Sequence, residues 1–248
     1  MELAAHGISA GYGATLAIRD IELRVASGEL VALLGPNSAG KTTTLLALSG
    51  ELPLRGGEVH FDGAVVKGPL HARARRWLGF LTEERSVFMN ATVTENLRLG
   101  RVSVGQALEL FPELEGRLKV KAGQLSGGEQ QMLSLARALA RRPRILLADE
   151  LSLGLAPLII DRLLQAIRKA VSEDGLGALI VEQHVGRALD VADRVYVMRR
   201  GRIALSGNAA DLRGRLHEIE SSYLGTDGEA GPPQAGPADA ERASGRSA

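Results

Sequence analysis

The chain contains no cysteine, and aromatic residues make up only 3% of its 248 residues. Without cysteine, disulfides, thiolate catalysis and cysteine-ligated metals are excluded, which is typical of a reducing compartment. The scarcity of aromatics and a formal net charge of +1 argue against nucleic-acid binding, which uses basic surfaces and stacking platforms. No run of about eighteen apolar residues occurs. We therefore expect one globular chain that is neither exported nor membrane-spanning.

Short apolar runs alternate with segments of helical periodicity. ELVALLG precedes a predicted helix from about Lys41, RILLAD precedes one from about Pro157, and ALIVEQ precedes one from about Val185. This alternation predicts an α/β fold with a mainly parallel sheet covered by helices. Residues 88–142 show only helical patterns, so we expect a helical insert there. Residues 226–248 contain no large apolar side chain and are predicted to be disordered.

The first chemical motif is GPNSAGKTT, which directly follows the apolar run ending at Leu34. It matches the pattern of a phosphate-binding loop in the required strand-to-helix context, which disfavours an ordinary glycine turn. Its glycines let backbone N–H groups face phosphate oxygens at a helix N-terminus. Lys41 would add a charge, and the Thr42 hydroxyl suits Mg²⁺. The predicted binding residues are Gly35, Pro36, Asn37, Ser38, Ala39, Gly40, Lys41, Thr42 and Thr43.

The second motif, RILLADE, ends an apolar run with two acids, Asp149 and Glu150. A buried strand would place both at the carboxyl edge of the sheet, where α/β folds bind ligands. Asp149 would then hold Mg²⁺ through water, and Glu150 would accept a proton from a water that attacks the γ-phosphate. The alternative is a strand that merely ends in solvated acids.

The third motif, LSGGEQQM, carries the S-x-x-E pattern of a helix-capping box, which explains it as a structural feature. Capping does not require the two glycines, which leave N–H groups exposed at the helix start and suit an anion. Because one nucleotide already has its loop, this segment would serve a different nucleotide. Its candidate residues are Leu125, Ser126, Gly127, Gly128 and Glu129.

In this order and spacing, the three motifs resemble the ATP-binding subunit of an ABC transporter, over Leu3 to Gly225. The resemblance implies a P-loop NTPase of the ABC ATPase fold: a RecA-like, mainly parallel sheet core with N-terminal antiparallel strands and a helical subdomain insert at about 88–142. Residues 1–225 would form this domain. It further implies a dimer in which the signature segment Leu125–Glu129 closes over the partner's ATP. Tyr12 falls where the family stacks an aromatic on adenine; otherwise it is a turn or core residue.

Within this family, FLTEERSVFMNATVTENL, ELSLGLAP, VEQ and SSYLG are similar to the branched-chain amino acid group, most nearly its second ATPase type. By that resemblance, Glu83 replaces the glutamine that touches Mg²⁺ and the attacking water. Leu151 replaces the proline usual after the catalytic glutamate, which frees Glu150 from a pre-proline restriction. Residues 83–97 would line a groove for a permease helix; without the resemblance they are a surface loop and a helix start at Thr92.

The stretch IVEQHVGRALDVADRV holds the family's switch position, which contacts the γ-phosphate. That position stands ten residues before Asp193 and is therefore Gln183, although His184 is a second candidate for the switch residue. Neighbouring strand residues point to opposite sides, so both cannot face one phosphate. Gln183 is thus predicted to act with Glu150. The other histidines lack metal-ligand spacing, and the basic cluster His71–Trp77 is predicted to be a solvated helix face.

The combined prediction is an ATPase that uses ATP and Mg²⁺ to power a membrane transporter, by resemblance an importer of branched-chain or related amino acids. It would lie peripherally on the cytoplasmic face of the membrane. Its partners would be a second ATPase subunit, identical or different, transmembrane permease subunits and, indirectly, an extracytoplasmic substrate-binding protein, with no nucleic acid. The alternatives are a soluble ABC ATPase acting as an assembly or scaffold factor, and a P-loop kinase, which leaves LSGGEQQM unexplained.

Overall fold

The computed structural model describes residues 1–84, 86–182 and 184–214. The predicted disordered tail at 226–248 and the candidate switch residue Gln183 lie outside the described residues. The strands are β1 (Glu2–Tyr12), β2 (Thr15–Ala26), β3 (Leu30–Leu34), β4 (Leu54–Phe61), β5 (Ala64–Val65), β6 (Leu78–Leu81), β7 (Ile145–Ala148), β8 (Gly177–Val181), β9 (Arg194–Arg199) and β10 (Arg202–Asn208). The α-helices are α1 (Lys41–Ser49), α2 (Leu70–Ala74), α3 (Val93–Leu99), α4 (Val104–Leu110), α5 (Gly127–Leu139), α6 (Pro157–Asp174), α7 (Val185–Val191) and α8 (Ala209–Arg213).

The larger sheet has the strand order β10-β9-β3-β8-β7-β6. All neighbours pair in parallel except β9 and β10, which form an antiparallel hairpin at one edge. Parallel pairing requires long crossovers, which the helices provide. As a consequence, β3, β8 and β7 lie side by side and end at the same edge of the sheet. The segments that follow Leu34, Val181 and Ala148 are therefore brought together.

The smaller sheet is antiparallel and has the order β2-β1-β4-β5. It is built from the N-terminal part of the chain, in agreement with the predicted antiparallel strands. Helices α3, α4 and α5 and two short 3₁₀ helices occupy the chain between β6 and β7. The predicted architecture, a mainly parallel core sheet with N-terminal antiparallel strands and a helical insert, is thus confirmed.

The core lies on both faces of the larger sheet. Along β3, Leu30, Ala32 and Leu34 belong to one buried cluster and Val31 and Leu33 to the other, as strand alternation requires. The first cluster is closed by α5 and α6, and the second by α1 and the antiparallel sheet. This double coverage explains why the central strands are continuously apolar in sequence.

Local signals fix the helix starts near the site. Helix α3 begins with a capping box between Thr92 and Glu95, and α5 begins with one between Ser126 and Glu129. Helix α6 begins at Pro157, where the missing N–H costs nothing, and is capped by Gly175 with φ 68°. Each boundary agrees with the pattern in the sequence.

The prediction that His71–Trp77 is a solvated helix face is wrong for two of its members. Arg73 is buried, and its guanidinium donates to the backbone carbonyls of Leu48, Gly68 and Val66 at 2.6, 3.1 and 3.4 Å. Trp77 is also buried and stacks on Phe61, with ring centroids 4.2 Å apart. Both side chains tie α2 to the core. Within the described ranges, no helix combines the length and apolarity needed to cross a bilayer.

Candidate functional site

The loop between β3 and α1 has a backbone that only glycine tolerates at two positions. Gly35 has φ 153°, and a Cβ there would lie 2.5 Å from the carbonyl oxygen of Met198. Gly40 has φ 105°, and its Cβ would lie 2.7 Å from a methyl group of Ile18. The loop is therefore packed against β9 and β2, and it leads directly to the first N–H groups of α1. Those groups have no partner within the helix and suit an anion.

Ser38, at the position where a third glycine is common, also adopts the left-handed region, with φ 67°. Its hydroxyl donates to the carbonyl of Asn37, a local bond that helps a polar residue hold this conformation. Ala39 anchors the same loop, because its carbonyl accepts from the N–H of Gly201 at 2.9 Å and its side chain is buried. The loop thus reaches the expected shape at the cost of strain at Ser38.

Lys41 lies at the centre of the site and is only 4% exposed. Its Nζ donates to the carbonyls of Gly35 at 2.9 Å and Pro36 at 3.1 Å and lies 3.9 Å from Oε1 of Glu150. Burial lowers the pKa of the Lys41 ammonium, while the charges of Glu150 and Asp149 oppose that shift. The ammonium is thus held between the phosphate loop and the acids at the end of β7.

Asp149 directly follows β7 and is 2% exposed. Burial raises the pKa of its carboxyl group, and the nearby charges of Glu150 and Glu83 act in the same direction. A hydrogen bond with the Thr42 side chain and the charge of Lys41 act in the opposite direction. Asp149 Oδ1 is buried without a hydrogen-bond partner. The structure therefore brings together Thr42, Glu83 and Asp149, which the sequence analysis grouped around Mg²⁺.

These three residues fit a magnesium ion by their chemistry. Mg²⁺ prefers oxygen ligands and is usually held by one or two carboxylates together with substrate phosphates. A buried carboxylate oxygen without a partner, as at Asp149, is costly unless a cation or donor reaches it. Within residues 1–84, 86–182 and 184–214, no three His, Asp or Glu side chains are arranged to hold a metal by themselves. The donor set thus suits a cation that is bound together with phosphate.

Glu150 begins a tight turn beyond β7. Its backbone lies in the left-handed region, with φ 43°, and its carbonyl accepts from the N–H of Leu153 at 3.3 Å. Leu151, in place of the family's usual proline, is 2% exposed and packs into the core. A following proline would restrict the backbone of Glu150. The carboxylate of Glu150 is 13% exposed and lines a cavity of about 300 Å³ together with Glu83.

The signature segment Leu125–Glu129 starts α5, in the helical insert. Ser126 Oγ accepts from the N–H of Glu129 at 3.3 Å, and Glu129 Oε2 accepts from the N–H of Ser126 at 2.8 Å. Arg117 donates to Glu129 at 2.6 Å and is the main cause of the lowered pKa of that carboxyl group. The capping interpretation is therefore correct, and anion binding by the same helix start stays a prediction.

Tyr12 and His184 are both exposed. Tyr12 ends β1 opposite Thr15 and is 56% exposed, so it lies at a turn and not in the core. His184 stands at the N-cap of α7 and lines a cavity of about 620 Å³ together with Leu155 and Pro157. The assignment of the switch to Gln183 lies outside the described residues and stays a prediction.

Sequence reasoning missed one polar pair beside the site. Ser152, in the turn after Glu150, donates to Oε2 of Glu182 at 2.7 Å, and both side chains are buried. The available signal was Glu182 itself, an acid that directly follows the apolar run GALIV. A buried charge in such a position calls for a partner.

The chain matches the model of the ABC transporter family over residues 18–152. The high-affinity branched-chain amino acid transport ATP-binding protein BraG of Pseudomonas aeruginosa is 39% identical over 228 residues, covering 88% of this chain and 97% of that protein. The probable branched-chain amino acid transport ATP-binding protein LivF of Archaeoglobus fulgidus is 35% identical over 215 residues, covering 83% and 91%. The lipopolysaccharide export system ATP-binding protein LptB of Escherichia coli is 35% identical over 238 residues, covering 91% and 98%.

Solved structures give the same likeness. An ATP-binding subunit of an ABC transporter aligns with a TM-score of 0.77 at 27% identity, covering 90% of this chain and all of that one. A dimeric bacterial ABC transporter cassette aligns with a TM-score of 0.73 at 26% identity, covering 84% of this chain and 98% of that one. The likeness therefore extends over nearly the whole described fold, including the helical insert.

Proposed function

This chain belongs to the ABC transporter family as an ATP-binding, ATP-hydrolysing subunit, and we propose that it powers an importer of branched-chain or related amino acids. One observation carries the catalytic part of the proposal. Lys41 Nζ contacts both the carbonyls of the phosphate loop and Glu150, at the edge where β3 and β7 end. A phosphate-binding charge and a carboxylate that can receive a proton are thus placed within one site.

In this proposal, each residue of the site has a separate task. Lys41 and the N–H groups at the start of α1 bind the β- and γ-phosphates of ATP and stabilise charge on the transferred phosphoryl group. Thr42, Asp149 and Glu83 would hold Mg²⁺, which supplies charge neutralisation between the phosphate oxygens. Glu150 orients the attacking water and receives its proton. Gln183 donates an amide hydrogen bond to the γ-phosphate, and Tyr12 stacks on the adenine.

A second ATPase subunit would complete the site. The start of α5 offers glycine N–H groups and the Ser126 hydroxyl to an anion, although this chain already has a phosphate loop. We infer that Leu125–Glu129 closes over ATP held by a partner subunit, identical or different. A related cassette is dimeric in its solved structure, which supports the pairing of two subunits.

A permease would dock on an apolar surface between β6 and α3. Phe88, Met89 and Leu99 are 52, 47 and 60% exposed and line one hollow of about 770 Å³. The backbone at Phe88 is held in place, because buried Asn96 bonds to both the N–H and the carbonyl of Phe88, at 2.8 and 3.0 Å. A preformed, exposed apolar patch is typical of an interaction surface. Docking there would place this chain peripherally on the cytoplasmic face of the membrane.

Two relatives support the substrate class, and a third supports a different one. BraG and LivF are named for branched-chain amino acid transport, and BraG has the higher identity to this chain. LptB is named for lipopolysaccharide export. A second candidate function is therefore the powering of a lipid exporter. Import is favoured because VEQ, ELSLGLAP and the Glu83 segment are similar to the branched-chain group.

The test is reconstitution in proteoliposomes with permease subunits and a substrate-binding protein of the branched-chain amino acid type. The expected result is uptake of radiolabelled leucine that requires ATP and is lost in the Glu150→Gln variant. Export of lipid without leucine uptake would favour the second candidate. Failure to form any complex with those permease subunits in detergent, while a soluble complex is recovered instead, would contradict a transport role and support an assembly factor.

The docking surface is tested in the same preparation. Phe88→Ala is expected to lower permease-stimulated ATP hydrolysis by about tenfold, since buried aromatic anchors dominate interface energies. The ATPase activity of the isolated subunit should be unchanged. Val65→Ala, at an apolar side chain of similar exposure on the antiparallel sheet, serves as the control. Its permease-stimulated ATP hydrolysis should equal that of the unmodified protein.

A further inference from the structure

A buried carboxyl group lies beside the turn that carries Glu150. Glu182 directly follows β8 and is 0% exposed, and its Oε2 accepts a 2.7 Å hydrogen bond from the hydroxyl of Ser152, which is 7% exposed. The two residues stand 30 positions apart in the chain. The bond therefore joins two separate elements, the end of β8 and the turn that follows β7.

A glutamate at position 182 is a costly choice if its role is only to complete the fold, because its carboxyl group is buried. All five residues of β8 are buried and apolar or small, so a further apolar residue would continue the strand without penalty. A buried carboxyl group loses its hydration and is tolerated only when hydrogen bonds replace the lost water. Hydrogen bonds between buried polar groups favour one arrangement of the elements that they join. The pair is thus suited to hold the turn in one position.

That turn requires such support. Glu150 is not a glycine, yet it has φ 43°, a conformation that persists only where the surroundings enforce it. The carbonyl of Glu150 accepts from the N–H of Leu153, and the carbonyl of Ser152 accepts from the N–H of Leu155 at 3.2 Å. Leu151 anchors the turn by apolar packing. The Ser152 hydroxyl adds a hydrogen bond to Glu182, which directly follows the neighbouring strand β8.

We propose that Ser152 and Glu182 are a positioning pair for Glu150, holding its turn against the end of β8 so that the carboxylate stays at the phosphate loop. The inference rests on the proposed function, in which Glu150 receives the proton from the attacking water. The pair acts through Glu150 and contributes no group to the binding of ATP. Its loss therefore affects the chemical step and leaves ATP affinity unchanged.

The decisive variant is Ser152→Ala in the full-length protein with MgATP. We expect kcat to fall about tenfold or more, because a displaced catalytic group can cost up to about 100-fold. KM and the equilibrium Kd for ATP should stay within about twofold of the unmodified protein. Ser152→Thr retains the hydroxyl and is expected to restore kcat. Ser172→Ala is the matched control, because it removes an exposed hydroxyl that bonds to the Lys169 carbonyl of its own helix.

A second variant keeps the proposal testable if Ser152→Ala does not fold. Glu182→Gln preserves volume and an acceptor oxygen for Ser152, so kcat should stay within about threefold. If Glu182→Gln loses as much activity as Glu150→Gln, Glu182 acts through its charge and the positioning role is wrong. An unchanged kcat in Ser152→Ala, or an equal loss of ATP affinity, also overturns it. Near-normal turnover in Glu150→Gln contradicts instead the proposed function on which the pair depends.

Discussion

Lys41 Nζ lies 3.9 Å from Glu150 Oε1, and both side chains are largely buried at the edge where β3 and β7 end. The lysine that would bind phosphate is thus paired with the carboxylate that would receive a proton. An ammonium shared by two carbonyls and a carboxylate must change partners when a triphosphate enters. The two side chains are therefore energetically coupled. A substitution at one is expected to change the contribution of the other to ATP binding and hydrolysis.

This pairing predicts that Glu150→Gln separates ATP binding from hydrolysis. Turnover should fall by at least about 100-fold, since a general base contributes on that order. ATP affinity should be equal to or higher than that of the unmodified protein, because phosphate no longer competes with a carboxylate for Lys41. Steady-state phosphate release and equilibrium ATP binding measure the two effects. Glu173→Gln, at an exposed ion pair with Lys169, is the control; near-normal turnover in Glu150→Gln would exclude Glu150 as the base.

The left-handed backbone at Ser38 predicts that glycine is tolerated there and that valine is destabilising. Since Ser38 already has φ 67°, glycine should be accepted with a net change below about 1 kcal/mol in unfolding free energy. Ser38→Val should be destabilised by about 2 kcal/mol relative to Ser38→Gly, because a β-branched residue in this region is strongly strained. Denaturant unfolding gives the stabilities, and nucleotide titration should show weaker binding only for the valine variant. Equal stability of the two variants would show that the loop relaxes away from this conformation.

Much of this site follows from local sequence. The glycines at 35 and 40, the acids after Ala148 and the capping box at Ser126 are each encoded within a few residues, so pattern and spacing predicted their positions. The proximity of Thr42 and Asp149 followed because parallel strands bring their carboxyl ends to one edge, and their binding of Mg²⁺ stays a prediction.

What sequence patterns could not predict are contacts that depend on the packing of distant elements. Arg73 is in a basic run typical of a solvated face, yet its guanidinium is buried and donates to the backbone carbonyls of Leu48, Gly68 and Val66. Ser152 and Glu182 belong to separate patterns, and neither pattern indicates the other. The left-handed φ of Glu150 likewise has no signal in the sequence pattern.

The raised pKa of Asp149 predicts how stability depends on pH. Burial, with the nearby acids, raises this pKa above the ordinary value of 3.8 in the folded protein. The folded state then holds the proton more tightly than the unfolded state, so Asp149 lowers the stability of the nucleotide-free protein as pH rises from that value through the raised pKa. Asp149→Asn removes this penalty and should raise Tm at pH 8, with a difference that narrows toward pH 4, while hydrolysis is lost.

Calorimetry of the nucleotide-free protein across this range gives the comparison. Asp161→Asn, at a carboxyl group that is 54% exposed, should show little difference from the unmodified protein at either end. A lower Tm for Asp149→Asn at pH 8 would mean that the carboxylate stabilises the empty site through Lys41 and Thr42 more than its burial costs.

The last prediction concerns the two neighbours Gln183 and His184. His184 is exposed at the N-cap of α7 and faces a hollow shared with Leu155 and Pro157. Strand β8 ends at Val181 and His184 is the N-cap of α7, whereas Gln183 is assigned to the switch position by its spacing before Asp193. Gln183→Ala should therefore lower kcat by about tenfold or more through loss of a hydrogen bond to the transferred phosphate, whereas His184→Ala should keep most of its ATPase activity. Measured with saturating MgATP, the reverse pattern would move the switch to His184.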